Sequence, residues 1–118
     1  MAELIDKSEE AGYNDGKGMK LVRNERFVWN EEKGRINFRK HEISFLEAQT
    51  VFSDEFAAFY PDDEHSYDEE RFIAIGESAK SRLLMVCYCE RENAEVIRLI
   101  SARKADKSEM EIYYGGAL

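Results

Sequence analysis

The chain is organised around residues 27–48, FVWNEEKGRINFRKHEISFLEA. The apolar run at residues 27–29 predicts a short strand. Asn30, which follows it, is a favoured helix N-cap residue, and the two glutamates after Asn30 suit the positive end of a helix dipole. We therefore predict a helix over residues 31–41, joined directly to the strand before it.

A second helix is predicted to begin at Ser44. Ser44 and Glu47 have the spacing of a capping box, in which the two side chains satisfy backbone N–H groups reciprocally. Ile43 lies immediately before the cap, where it can pack against Ala48 as a hydrophobic staple. This helix is expected to end near Ser53.

The second half of the chain predicts four strands, at residues 56–60, 72–77, 83–90 and 95–102. Pro61 ends the first of them, because proline cannot donate to a sheet ladder. The third contains LLMVCYC, which is apolar on both faces and is therefore expected in the middle of a covered sheet. Asp106 and Glu109 then predict a capped C-terminal helix.

These elements predict one α+β domain, with two N-terminal helices packed on an antiparallel β-meander and a C-terminal helix. A chain of 118 residues is long enough for one such domain. We assign residues 25–118 to it and residues 1–24 to a flexible N-terminal extension, because the extension shows neither helical nor alternating periodicity.

No apolar run is long enough to span a membrane and no signal pattern precedes the domain, so we expect a cytoplasmic protein. Cys87 and Cys89 agree with this expectation. Two residues apart on a strand, their side chains are too far from each other for an unstrained disulfide, and we predict buried, reduced thiols.

The formal net charge of −8 is concentrated in one segment. Eight acidic residues and no Lys or Arg lie between residues 54 and 70, namely Asp54, Glu55, Asp62, Asp63, Glu64, Asp68, Glu69 and Glu70. The other charges of the chain cancel, and residues 33–41 contain four basic residues and no acidic one. The mean charge therefore does not argue against a nucleic-acid substrate. We interpret the acidic segment as a solvated loop or as a surface that contacts basic residues of a partner.

The sequence contains no phosphate-binding loop, nucleophile elbow or zinc spacing. His41 ends the first helix, either as a cation at the helix C-terminus or as a proton-transfer group. Arginines near the strand ends either hold a phosphate or pair with glutamates. Strand alternation places Arg98 and Arg103 on opposite faces unless a bulge intervenes. His65 is interpreted as part of the solvated loop, and the alternative is a metal site of Asp62, Asp63, His65 and Glu69.

Five segments in unbroken order resemble the BrnT family of bacterial toxins. They are FVWNEEK, KHEISFLEA, PDDEHSYDEERF, LLMVCYCER and RLISARKADKSE, and the resemblance runs from about Phe27 to Tyr113. Positions that match the family pattern are Trp29, Lys33, Lys40, His41, Glu70, Arg71, Arg91 and Arg103. The chain departs from that pattern at Cys89, where the family usually has threonine.

The resemblance implies a fold like that of RelE-type and barnase-type ribonucleases, and an activity that cleaves RNA and stops translation. It also implies a partner, a BrnA-like antitoxin of the ribbon-helix-helix class, through which the complex binds operator DNA. Two alternatives stay open: an inactive protein that only binds its antitoxin, and a DNA-binding module that uses the basic helix at residues 33–40.

The mechanism expected from the resemblance needs no metal or other cofactor. The ribose 2′-OH attacks the adjacent phosphate, and the phosphate is held by Arg71, Arg91 and Arg103. His41 or Glu70 takes the proton, and Tyr113 or a cation assists the leaving oxygen. Further contacts to RNA are predicted for Lys33, Arg39, Lys40 and Arg98.

Overall fold

One mixed sheet with helices on both sides is seen in the computed structural model, which describes residues 20–66 and 69–115. The strands of this part are β1 Leu21–Asn24, β2 Phe27–Asn30, β3 Ala58–Pro61, β4 Phe72–Glu77, β5 Leu83–Arg91 and β6 Val96–Lys104. The α-helices are α1 Glu31–His41, α2 Phe45–Ala48 and α3 Lys107–Tyr113. A 3-10 helix, Gln49–Ser53, continues α2, and a 3-10 turn covers Asp63–His65. The predicted α+β class is confirmed.

The strand order is β1-β2-β6-β5-β4-β3, and all neighbours are antiparallel except β2 and β6, which are parallel. The predicted antiparallel meander therefore describes β3 to β6 only. Residues 21–24, which we predicted to belong to the flexible extension, instead form β1 and pair with the apolar β2. The rest of that predicted extension, residues 1–19, lies outside the described residues.

Helix α1 begins and ends as its sequence predicts. The Asn30 side chain accepts a hydrogen bond from the Lys33 backbone N–H, and the chain leaves the helix through Glu42 in the left-handed conformation. The buried Asn37 amide donates to the Ala102 carbonyl and accepts from the Ala102 N–H, at 2.9 and 3.1 Å. Asn37 thus satisfies the backbone N–H and C=O groups of Ala102 on β6, beyond the residues of β6 that pair with β2.

The capping box predicted for α2 is only half formed. The Ser44 hydroxyl accepts from the Glu47 backbone N–H at 3.0 Å, as expected. The Glu47 carboxylate, however, does not return to the cap. It accepts a 2.7 Å hydrogen bond from the Ser78 hydroxyl and forms an ion pair with Arg82, so it fastens α2 to the turn between β4 and β5.

The two sheet faces carry separate apolar clusters. The helix face, as we call the side under α1 and α2, holds the larger cluster, which includes Trp29, Ile43, Phe45, Val51 and Val86. The opposite side, which we call the arginine face, holds a smaller cluster of Ile73, Ile75, Met85 and Cys87, against which Tyr113 of α3 packs. Helix α3 therefore covers only one end of the arginine face.

Candidate active site

A break in the register of β6 shapes the arginine face. Cys87 lies opposite Ser101, whereas the next residue of β5, Tyr88, lies opposite Leu99. Strand β6 therefore has one extra residue, Ile100, at this position. Such a bulge reverses the alternation of side chains on either side of it.

The bulge brings two arginines to the same face. Ile97 and Leu99 lie in the core of the helix face, so Arg98 between them points to the opposite side. Ala102 also belongs to that core, so Arg103 next to it points to the same side as Arg98. Simple alternation predicts that Arg98 and Arg103 lie on opposite faces of the sheet. That prediction is wrong, because the bulge, which we stated as the exception, places both on one face.

Arg71 and Arg103 meet in one cleft of about 340 Å³ on the arginine face. Its apolar floor is part of the smaller cluster and includes Ile73, Met85 and Cys87. Its polar rim is formed by Tyr60, Asp62, His65, Arg71, Ser101, Arg103 and Glu109. We call this space the first cleft.

The loop between β3 and β4 positions His65 and Arg71. The Ser66 hydroxyl donates to the Asp62 carbonyl at 2.8 Å and accepts from the Arg71 N–H at 2.9 Å, which ties the two ends of the loop together. The Asp62 N–H donates to the Arg71 carbonyl at 2.8 Å. The Asp62 carboxylate lies 3.0 Å from Nδ1 of His65 and orients the imidazole.

Arg103 is held by a bidentate ion pair with Glu109, at 2.9 and 2.8 Å. Glu109 also completes the predicted capping box of α3 with Asp106. The hydrogen bonds that Arg103 donates to the Glu109 carboxylate raise the pKa of Arg103, which stays a cation. By contrast, Arg71 forms no ion pair within residues 20–66 and 69–115.

A second cleft of about 280 Å³ lies further along the same face. It is lined by Leu21, Arg23, Val28, Arg91, Glu92, Val96 and Arg98. Arg91 pairs with Glu69 at 2.7 Å. Burial alone would raise the pKa of Glu69, but the hydrogen bond and charge of Arg91 lower it on balance.

Several predicted site residues lie outside both clefts. Helix α1 packs on Trp29 and Phe45 of the helix face, with Lys33, Arg39 and Lys40 exposed on its surface and His41 at its last position. Glu70 is exposed next to Arg71.

Tyr113 is engaged elsewhere. Its hydroxyl donates to the Asp54 carboxylate at 2.7 Å, and this hydrogen bond, together with burial, raises the pKa of Tyr113 to about 12. The tyrosine is therefore protonated at neutral pH and anchors α3.

The cysteines are free and buried, as predicted. Burial raises the pKa of Cys87 to about 11 and also raises that of Cys89, so both stay thiols at neutral pH. In the part of the chain that the structure describes, no three His, Cys, Asp or Glu side chains gather as a metal site would require. The described part likewise has no helix with the length and hydropathy of a membrane span.

Comparisons with known proteins assign the family. The sequence model described as "Ribonuclease toxin, BrnT, of type II toxin-antitoxin system" matches residues 29–109, more than half of the chain. This chain belongs to the BrnT family. The 1.1 Å crystal structure of the Brucella abortus ribonuclease toxin BrnT is similar to it, with 26% sequence identity and a TM-score of 0.52 over 67% of this chain and 94% of that one. No curated protein sequence matches.

Sequence reasoning missed two residues of the BrnT clefts. His65, which the sequence predicts in a solvated loop, lies in the first cleft. The segment PDDEHSYDEERF carries the family resemblance and contains both His65 and Arg71, and this was a usable signal. Arg23 was placed in the extension, because nothing in residues 1–24 showed that its end joins the sheet. Arg23 also lies outside the residues that match the BrnT family.

Proposed function

We propose that this BrnT chain is an active endoribonuclease that binds RNA on the arginine face and cleaves it without a metal ion. The observation that carries the proposal is the convergence of Arg71, Arg103 and His65 on the first cleft. Guanidinium groups match the geometry of a phosphate and stabilise the charge that develops on it. An imidazole in the same cleft supplies a group that transfers protons at neutral pH.

The proposed reaction is an intramolecular transesterification. The ribose 2′-OH loses its proton to His65 as its oxygen forms a bond to the adjacent phosphorus. The bond from phosphorus to the 5′ oxygen of the next nucleotide breaks, and that oxygen takes up a proton from water, which leaves a 2′,3′-cyclic phosphate and a 5′-OH. Arg71 and Arg103 hold the non-bridging phosphate oxygens, while Asp62 orients the imidazole at 3.0 Å.

The partner we propose is a BrnA-like ribbon-helix-helix antitoxin, through which the pair binds operator DNA in the cytoplasm. BrnT toxins belong to type II toxin–antitoxin systems, which supports a protein partner. We further propose that the fold belongs with the RelE-type ribonucleases, since helices pack on the antiparallel strands β3 to β6.

Cleavage of RNA by the purified chain tests the proposal. RNA with all four bases is incubated with wild-type protein in excess chelator, and the new ends are analysed. We expect fragments that end in a 2′,3′-cyclic phosphate and begin with a 5′-OH. Cleavage that stops on adding chelator and returns with a divalent cation would overturn the metal-independent mechanism, and 3′-OH ends would overturn the 2′-OH attack.

A second candidate is an inactive protein that binds its antitoxin through the same face. It is favoured by the ion pairs of Arg91 with Glu69 and of Arg103 with Glu109, which already occupy two of the arginines. Induction of the chain alone in bacteria separates the two candidates. Arrested growth that Arg71→Ala relieves supports the nuclease, and normal growth with folded protein supports the inactive form.

A further inference from the structure

We infer that the second cleft is a separate phosphate-binding subsite, formed by Arg23, Arg91 and Arg98, which binds a different phosphate of the same RNA strand. The inference rests on the proposed ribonuclease function and specifies its substrate class. The substrate is a single strand long enough to place phosphates in both clefts, and a dinucleotide fills only the first.

The register aligns the side chains of this subsite across four strands. Arg23 pairs with Val28, Val28 with Arg98, and Arg98 with Cys89. Cross-strand partners point to the same face, and neighbouring strands are about 4.8 Å apart. Arg91, two residues after Cys89 on β5, points to this face as well.

The cleft has an apolar floor and a cationic rim. Val28 and Val96 are buried beneath it, while the three arginines are half-buried around it. Arg98 forms no ion pair with any described residue, and the Arg23 Nε–H donates to the Glu25 carbonyl at 3.0 Å. A half-buried guanidinium on an apolar floor is less hydrated than one on an open surface, and this strengthens its attraction for an anion.

Charge and spacing favour a phosphate of a nucleic-acid strand. Glu69 and Glu92 lie at this cleft beside the three arginines, so the site keeps a net positive charge. The β5 partners of Arg98 and Arg103 are Cys89 and Met85, which are four residues apart, or about 13 Å at the usual rise of a strand. Arg103 is held by Glu109 in the first cleft and Arg98 lines the second, so the two clefts bind different phosphates.

Arg23 contributes to this subsite from outside the residues that match the family. It comes from β1, which precedes the residues that match the BrnT family, and residues 29–109 alone supply only Arg91 and Arg98. The N-terminal strand thus adds a contact to the arginine face.

Binding of an uncleavable RNA tests the subsite without depending on catalysis. A fluorescent octanucleotide and a dinucleotide, both with 2′-O-methyl riboses, are titrated with wild type, Arg23→Ala, Arg98→Ala and Arg71→Ala at several salt concentrations. Arg35→Ala on α1 is the matched control, since it removes the same charge from an exposed helix position. Arg98→Lys keeps the positive charge at position 98 and is used in place of Arg98→Ala if that variant does not fold.

We expect Arg23→Ala and Arg98→Ala to weaken octanucleotide binding roughly tenfold or more, as for the loss of one hydrogen bond to a charged group. The slope of log affinity against log salt falls by about 0.7 for each phosphate that the protein no longer neutralises. Dinucleotide binding is unchanged in these two variants but weakened in Arg71→Ala, and Arg98→Lys retains the wild-type slope.

The subsite would be overturned if Arg23→Ala and Arg98→Ala bound the octanucleotide as tightly as Arg35→Ala does. It would also be overturned if the wild-type protein did not bind the octanucleotide. Loss of antitoxin affinity in these variants with RNA binding intact would assign the cleft to the protein partner and also overturn it. Wild type that binds the octanucleotide through the subsite but leaves natural RNA uncut would refute the ribonuclease proposal while the subsite stands.

Discussion

The two faces of one sheet use charge in opposite ways. On the helix face, the side chain of Glu47 is only 2% exposed and is satisfied by Arg82 and Ser78. It is carried by α2, whose Phe45 and Ala48 belong to the larger apolar cluster. On the arginine face, half-buried cations line two open clefts above a small cluster. A buried pair completes its contacts within the chain and stabilises the fold. Arg71 and Arg98, without ion pairs among the described residues, are left to bind something else.

The largest effect is expected when the buried pair is broken. Glu47→Ala leaves Arg82 without its carboxylate and the Ser78 hydroxyl without its acceptor. We expect the free energy of unfolding to fall by about 2–3 kcal/mol, as for the loss of hydrogen bonds to a charged group. The loss is smaller than for a fully buried pair, because the Arg82 side chain is 31% exposed. Urea denaturation measures it, with Arg35→Ala as the exposed control, expected to lose less than about 1 kcal/mol. Equal losses in the two variants would contradict the contrast between the faces.

The same pair predicts a dependence of stability on pH. The hydrogen bond from Arg82 lowers the pKa of Glu47 in the folded state. A lowered pKa gives stability that is present above the unfolded pKa and is lost as the pH falls through the folded value. Wild type should therefore lose stability as the pH falls below about 4, and Glu47→Ala should lose less over the same range. If the free energy of unfolding fell equally with pH in the two proteins, Glu47 would not be the group responsible.

On the arginine face, Arg71→Ala should reduce activity without unfolding the protein. Its guanidinium lies in the first cleft and forms no ion pair among the described residues, so the fold loses little. Removal of one group that stabilises developing charge slows the chemical step by about 100- to 1,000-fold. Single-turnover cleavage and thermal unfolding are measured together. A large fall in the unfolding midpoint, or unchanged cleavage, would remove Arg71 from the site.

The two histidines sharpen the comparison further. His65 lies in the first cleft on the arginine face, whereas His41 ends α1 and was predicted to be catalytic. Loss of a general base reduces the rate by about 100-fold or more. We expect that loss of rate for His65→Gln, with octanucleotide binding retained, and near wild-type cleavage for His41→Gln. Slow cleavage by His41→Gln, with near wild-type cleavage by His65→Gln, would instead place the general base at the end of α1.

The smallest effect is expected for Tyr113→Phe. This change removes the hydrogen bond to Asp54 that holds α3 against the arginine face. A hydrogen bond to a charged group contributes about 1.5–3 kcal/mol, so thermal stability should fall by that amount at most while cleavage is unchanged. Cleavage slowed by about 100-fold or more, with normal stability, would instead support the proton-donor role predicted from the resemblance.

Local signals in the sequence predicted most of the elements. The N-cap at Asn30, the capping box at Asp106 and the apolar run of β5 each lie where expected, because each depends on residues close together in the chain. Contacts between distant segments could not be predicted in this way. By its spacing, the Glu47 carboxylate has a local partner at the N-terminus of α2, yet it pairs instead with Arg82, 35 residues away in the sequence.

The candidate site was harder to predict for the same reason. The bulge at Ile100 has no glycine or other signal in the sequence, and it alone decides that Arg98 and Arg103 share a face. The pairing of residues 21–24 with β2 was hidden by an extension without periodicity. Lys33, Arg39 and Lys40 form the densest basic cluster in the sequence, but the helix that carries them faces away from both clefts.

The central claim is that RNA lies across the arginine face. NMR spectra of the arginine side chains and backbone amides, recorded as the 2′-O-methyl octanucleotide is added, test it most directly. We predict shifts at Arg71, Arg98 and Arg103, with α1 unchanged. Shifts confined to residues 33–41, with the arginine face unchanged, would contradict it.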